Sequence, residues 1–172
     1  MQLLKITTHP SISADNISQF TRITSRAIVL KGSQILLMYT ARYEDYSLPG
    51  GGVDDFESIE QGLIRELQEE TGAQNIKITG EFGLYEEYRP WYKDDYEVIH
   101  IKSYCYFCDI NDTLGQAQLE HYEQQNGMQA KWVNIHEAIA HNERTIANSN
   151  KQGLSIIRET YLLKEIALLA NA

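Results

Sequence analysis

The stretch from Gly51 to Ala73, GGVDDFESIEQGLIRELQEETGA, limits what this chain can become more than any other part of it. It sets Arg65, Glu66, Glu69 and Glu70 close together. At about 100° per residue, Glu66, Glu69 and Glu70 share one face of a helix, and Arg65 stands four residues before Glu69 on the same side. This is an unfavourable place for three acids. Glu66 and Glu70 repel as an i, i+4 pair. All three fall in the last turns before Gly72, where the helix dipole already presents negative charge. One arginine cannot neutralise three carboxylates, whereas a hard divalent cation can. Mg²⁺ takes oxygen ligands and keeps some waters for a substrate. The competing reading is a solvated acidic face, the usual meaning of a charge run on a helix.

The flanking residues favour a built site. Ser58 followed by Gln61 makes a capping box that gives the helix a defined start, and Gly72 is placed to end it at C′. Gly62 lies on the same stripe as the acids and leaves space for another piece of backbone. Upstream, Leu48-Pro49-Gly50-Gly51-Gly52 supplies glycines whose carbonyls can approach a metal or a phosphate.

Gly51, five residues, Glu57, seven residues, then Arg65-Glu66-Leu67-x-Glu69-Glu70-x-Gly72-Ala73 resembles the signature of the Nudix hydrolases, G-x5-E-x7-R-E-U-x-E-E-x-G-U with U aliphatic. Every charged and glycine position agrees; Ala73 is small where a larger aliphatic is usual. The match covers 23 of 172 residues. The resemblance implies an α/β (α+β) fold, an α/β/α sandwich with a mixed β-sheet between helices. It also implies hydrolysis, dependent on Mg²⁺ or Mn²⁺, of a nucleoside diphosphate linked to another moiety, or of a nucleoside triphosphate. In that chemistry, water attacks a phosphoanhydride. By the same resemblance Glu66, Glu69 and Glu70 are metal ligands together with the Gly51 carbonyl. Arg65 orients a glutamate, and Glu57 supports the loop and helix. The catalytic set is then Glu69, Glu66, Arg65 and Glu57. The reaction needs one carboxylate able to take a proton. A glutamate of the motif is favoured, with Glu120 or Glu123, in the loop before the last strand, as an added ligand or base.

Length suits one domain with a full core, residues 1–172, whose C-terminal part from about 134 to 170 reads as helical. A formal net charge of −9 argues against gripping an extended nucleic-acid backbone. MQLLKITTHP begins with a short apolar run but carries no long hydrophobic region, so neither a signal peptide nor a membrane span is expected and cytoplasm is the default. Cys105 and Cys108 are three apart on a strand-like run and should point to opposite faces as reduced residues.

Strands are expected at Arg22 to Leu30 and Gln34 to Thr40, forming a hairpin buried on both faces. A polar loop, Ala41 to Ser47, should follow. After the acidic helix come a strand over Asn75 to Tyr88, a break over Arg89 to Asp95, and a long strand over Tyr96 to Ile110. Asn111 to Met128 reads as a functional or mobile loop. A short strand at Ala130 to Val133, a helix capped by Asn134 and Glu137, and a last helix from Leu154 complete the chain.

Substrate contacts are the least legible part. Tyr88, Trp91 and Tyr92 suit stacking on a nucleobase, and Arg42, Arg89 and Lys93 suit phosphates; packing of a loop or a dimer interface is the alternative. The partner expected is a small nucleotide. Homodimerisation is compatible with the resemblance and is not read from residues. Two other readings stand on the same scaffold. One is a non-catalytic nucleotide-sensing module, which would often lose acids that this chain keeps. The other is a prenyl diphosphate isomerase, which would need an activated cysteine beside a glutamate.

Overall fold

The computed structural model describes residues 1–13, 18–93 and 95–170. In chain order the elements are β1 (Leu3–Thr8), β2 (Gln19–Ile28), β3 (Leu30–Lys31), β4 (Gln34–Thr40), β5 (Asp45–Ser47) and α1 (Ile59–Thr71). They continue with β6 (Lys77–Pro90), β7 (Val98–Asp109), α2 (His121–Gln125), β8 (Met128–Asn134), α3 (Ile135–Asn148) and α4 (Ile156–Ala170). The expected single sheet is two. One runs β1-β6-β7-β2; in the other, β4 is flanked by β3 and β5 on one side and by β8 on the other. The first is mixed, with β1 parallel to β6, β2 parallel to β7, and β6 antiparallel to β7.

The expected hairpin is nearly absent. β2 pairs with β7 along its whole length, from Gln19 opposite Val98 to Ile28 opposite Phe107. Only Leu30–Lys31 folds back on β4, and the chain passes from one sheet to the other at Val29. The apolar pattern reported burial on both faces correctly. It could not name the partner, because a strand distant in sequence leaves no turn signal beside β2.

The glycine segment extends the first sheet. Ala27 N–H donates to the Pro49 carbonyl (2.9 Å), Ser25 N–H to the Gly51 carbonyl (3.0 Å), and Val53 N–H to the Ile23 carbonyl (3.0 Å). Residues 49–53 therefore run antiparallel along the edge of β2 that β7 leaves free.

Two cores lie on either side. Leu63 and Leu67 of α1 pack with Ala27, Val29, Leu36, Tyr106 and Cys108. Opposite, Ile135 and Ala138 of α3 and Leu162, Leu163 and Ile166 of α4 pack with Ile28, Ile35, Leu37, Leu48, Tyr85 and Cys105. Successive residues of β2 and β4 thus go to alternate cores, as strand geometry demands. Each such buried aliphatic contributes about 1.5–3 kcal/mol. Cys105 and Cys108 divide the same way. Both are free, and burial pushes both thiols up to about 12.

α1 begins as expected: Ser58 Oγ accepts from Gln61 N–H (3.2 Å), and Gln61 Oε1 accepts from Ser58 N–H (2.8 Å). Gly72, at φ +72°, ends it. The expected loop over Asn111 to Met128 differs, since it contains α2, too short to show an apolar period. It is also tied down. Gly115 N–H donates to the Gly72 carbonyl (2.7 Å) and Gln118 N–H to the Glu69 carbonyl (2.6 Å). These are carbonyls at the C-terminal end of α1, which a helix leaves without internal partners. Satisfying them carries Glu120 and Glu123 toward the acidic helix.

Candidate active site

Arg65 gathers the acids. Its Nε donates to Glu57 Oε2 (3.1 Å), and its Nη2 to Glu57 Oε1 (2.7 Å) and the Gly52 carbonyl (3.0 Å). Its Nη1 donates to Glu66 Oε1 (3.0 Å) and Glu69 Oε2 (3.2 Å). The hydrogen bonds from Arg65 hold the Glu57 carboxyl below its ordinary range, whereas burial pushes Glu66 up. Gly62 leaves room for Glu57 and not for backbone: a Cβ there would lie 2.9 Å from Glu57 Oε1. The one guanidinium therefore joins the glycine loop, Glu57 and the helix.

Glu70 faces inward. It is buried, its Oε2 accepts from Gly50 N–H (2.6 Å), and burial pushes its carboxyl up to about 8. The Gly51 Cα comes so close to Glu66 that a Cβ would lie 2.7 Å from its carboxylate. Among the described residues no three acid, histidine or cysteine side chains stand ready as a closed metal cage. The donor set nevertheless fits a hard divalent ion. It consists of carboxylate oxygens against a backbone stripped of side chains, with Arg65 in hydrogen-bond contact with two of them.

A cleft of about 530 Å³ opens beside the loop, lined by Gly50, Gly51, Gly52, Glu70 and Glu123 and also by Arg22, Arg26, Arg89 and Arg158. Glu123 is buried; its Oε1 accepts from Tyr122 Oη (3.1 Å) and its Oε2 from Glu120 N–H (2.8 Å). Glu120 is exposed and caps α2. Arg89 reaches the cleft while paired to Glu87 (2.5 Å). Arg42 does not line it; it donates to Asn126 Oδ1 (3.1 Å) on an exposed loop. Trp91 packs edge-on against Phe20, with centroids 4.9 Å apart, and Tyr88 stacks on His100 at 4.2 Å. Of the three aromatics expected to stack on a base, only the exposed Tyr92 lines the cleft.

Reading the sequence missed Arg22, Arg26, Asp45 and Arg158 at this cleft, and the buried Glu159 beside Arg158. R-x-T-x-R over Arg22, Thr24 and Arg26 is a polar alternation on β2 that could have shown the first two. Asp45 is buried near Glu159, and burial first, then that charge, push its carboxyl up to about 6. Below pH 3.8, its ordinary value, it is neutral folded or unfolded; above about 6 the folded state carries the whole cost of the buried charge. Asp45→Asn should therefore raise stability by about 1–3 kcal/mol at pH 7.5 and by much less near pH 4, read by urea unfolding at both pH values.

The NUDIX domain family matches residues 21–154, and the chain belongs to that family. A protein of Bacillus subtilis (strain 168) with the provisional name 8-oxo-dGTP diphosphatase is 42% identical over 69 residues, 40% of this chain and 44% of that one. An RNA pyrophosphohydrolase of Sulfurovum sp. (strain NBC37-1) is 49% identical over 37 residues, 22% of this chain and 24% of that one. The chain thus spans less than half the length of either relative. A NUDIX hydrolase structure from Nitrosomonas europaea superposes with a TM-score of 0.57 at 17% identity, covering 86% of this chain and 90% of that one, a likeness of fold.

Proposed function

We propose that this protein is a pyrophosphohydrolase dependent on Mg²⁺ or Mn²⁺. Its substrate would be a nucleoside diphosphate linked to another moiety, or a nucleoside triphosphate. The observation that carries this reading is the convergence of Glu57, Glu66 and Glu69 on Arg65, together with the buried Glu70 and the glycine loop, which line an arginine-bearing cleft. Two relatives named for diphosphate cleavage support it.

A phosphoanhydride resists water because its own oxygens repel an approaching nucleophile. Glu66, Glu69 and Glu70, with the Gly51 carbonyl, would hold a divalent ion, whose charge when bound would offset that of those oxygens and polarise a water. Arg65 keeps the carboxylates aligned, and Glu57 fixes Arg65 to the loop. We assign the acceptance of the water's proton to Glu69, supported by its side chain being 39% open to solvent against 15% for Glu66. Glu123 has both oxygens engaged, which suits holding Tyr122 and α2 in place better than taking a proton. In the cleft, Arg22, Arg89 and Tyr92 are the groups to meet phosphate and base. Among the described residues no helix is long and apolar enough to cross a membrane. Cytoplasmic residence and a homodimer extend the family reading and are checked by fractionation and light scattering.

The test is turnover of a panel with Mg²⁺ or Mn²⁺: ADP-ribose, sugar nucleotides, dinucleoside polyphosphates, ordinary and oxidised nucleoside triphosphates, and 5′-triphosphorylated or capped RNA fragments. One class should be cleaved, with activity lost in EDTA. Mg²⁺ at a hundred times its dissociation constant should also stabilise the fold by about 2.7 kcal/mol against EDTA, read by thermal unfolding. Tight binding of a panel member with no turnover on either metal would overturn the hydrolase in favour of a sensing module.

A further inference from the structure

α4 begins beyond residue 154, where the match to the family ends, yet it reaches the glycine loop. Glu159 is fully buried, and its Oε2 accepts from Leu48 N–H at 2.9 Å. Its Oε1 accepts from Arg158 Nε (2.9 Å) and Nη2 (2.6 Å), while Arg158 Nη1 donates to Glu87. Arg158 is only 3% exposed and lines the cleft. Two residues along the loop, Gly50 is gripped from the other side. Its N–H donates to Glu70 (2.6 Å), and its carbonyl accepts from Arg26 Nη1, which also reaches the Leu48 carbonyl (3.4 Å). Leu48-Pro49-Gly50 is therefore held between α4 on one flank and α1 with β2 on the other.

A buried ion pair is a poor way to stabilise a helix contact, because desolvation of the two charges offsets their attraction. The neighbouring α4 residues Leu162, Leu163 and Ile166 show that this helix can be anchored by apolar packing. What the charged pair adds is direction: Arg158 fixes Glu159 so that its second oxygen meets one backbone N–H at the start of the glycine loop. We propose that Arg158 and Glu159 are positioning residues that set the glycine loop against the carboxylates of α1, so that metal affinity depends on a helix outside the family-matched segment. The inference rests on the hydrolase reading for the use of the site, but its test does not need turnover.

In the full-length protein, Arg158→Met/Glu159→Leu removes the charges and the acceptor together, while Arg158→Met/Glu159→Gln restores an acceptor for Leu48 N–H. Glu87 keeps Arg89 in both. Mn²⁺ binding without substrate, followed by electron paramagnetic resonance, should weaken at least tenfold in the Met/Leu protein and stay within threefold of wild type in the Met/Gln protein. Both should unfold in EDTA close to the wild-type temperature. Wild-type affinity in a folded Met/Leu protein would overturn the proposal, and so would a tenfold loss in the Met/Gln protein, which also decides the matter if Met/Leu does not fold. If wild type itself binds no Mn²⁺, the metal reading fails separately. Amide exchange then decides the clamp: Leu48 N–H should exchange at least tenfold faster in Met/Leu than in Met/Gln, and equal rates would sink it.

Discussion

Glu69→Gln is expected to lower kcat by about 10²–10⁴-fold, the range for losing a positioned proton acceptor, with the fold intact. The substitution is nearly isosteric, and the glutamine oxygen can still accept from Arg65 Nη1, which donates to the present carboxylate at 3.2 Å. The side chain is 39% exposed, so no buried charge is stranded, and stability should stay within about 0.5 kcal/mol of wild type. Arg65→Lys makes a useful contrast. An ammonium has three donors and no planar fork, whereas the guanidinium serves both oxygens of Glu57, one each of Glu66 and Glu69, and the Gly52 carbonyl. Loss of such an orienting partner costs about 10–100-fold. Kinetics of both variants on whichever panel member wild type cleaves, with unfolding curves alongside, measure this. A Glu69→Gln protein retaining half its activity would remove Glu69 from the chemistry.

The contrast between these residues and the cleft shows what a sequence displays. Arg65, Glu66, Glu69 and Glu70 sit on one helix, so their relative placement follows from a local period. Ser58, Gln61 and Gly72 mark that helix with side-chain and backbone demands that are themselves local. The α/β/α layering was legible for a related reason: the unbroken apolar runs Ala27-Ile28-Val29 and Ile35-Leu36-Leu37 require a core on both faces. Partner choice was not. β2 lies parallel to β7, some eighty residues on, because of burial that many registers would satisfy equally in the sequence. The cleft is assembled the same way, from Arg22 on β2, Arg89 at the end of β6, Glu123 on α2 and Arg158 on α4. An arginine in an apolar helix, such as Arg158 among Ile156, Leu162 and Leu163, is the kind of local inconsistency that points to a distant partner. Trp91 illustrates the converse, since an aromatic-rich turn fits packing on Phe20 as well as it fits a base.

Gly50→Ala is expected to cost about 3 kcal/mol or more, combining backbone strain with overpacking. Gly50 has φ +129°, a conformation open to glycine alone, and its missing Cβ would lie 2.1 Å from the Ser25 carbonyl oxygen. Neither side can yield. Ser25 N–H is bound to the Gly51 carbonyl, and Gly50 N–H to buried Glu70. Two other glycines make the same chemical change in different surroundings. Gly32, at φ +61° in a turn with nothing within 4 Å, should lose about 1–2 kcal/mol as alanine, from the left-handed conformation alone. Gly51→Ala would press on the Glu66 carboxylate, the movable end of a side chain, so it should spare stability and weaken metal binding. Urea unfolding of the three alanine variants in EDTA separates these causes. A Gly50→Ala protein as stable as Gly32→Ala would mean that the loop can leave β2 without penalty, and a loop so free could not keep the Gly51 backbone against the Glu66 carboxylate.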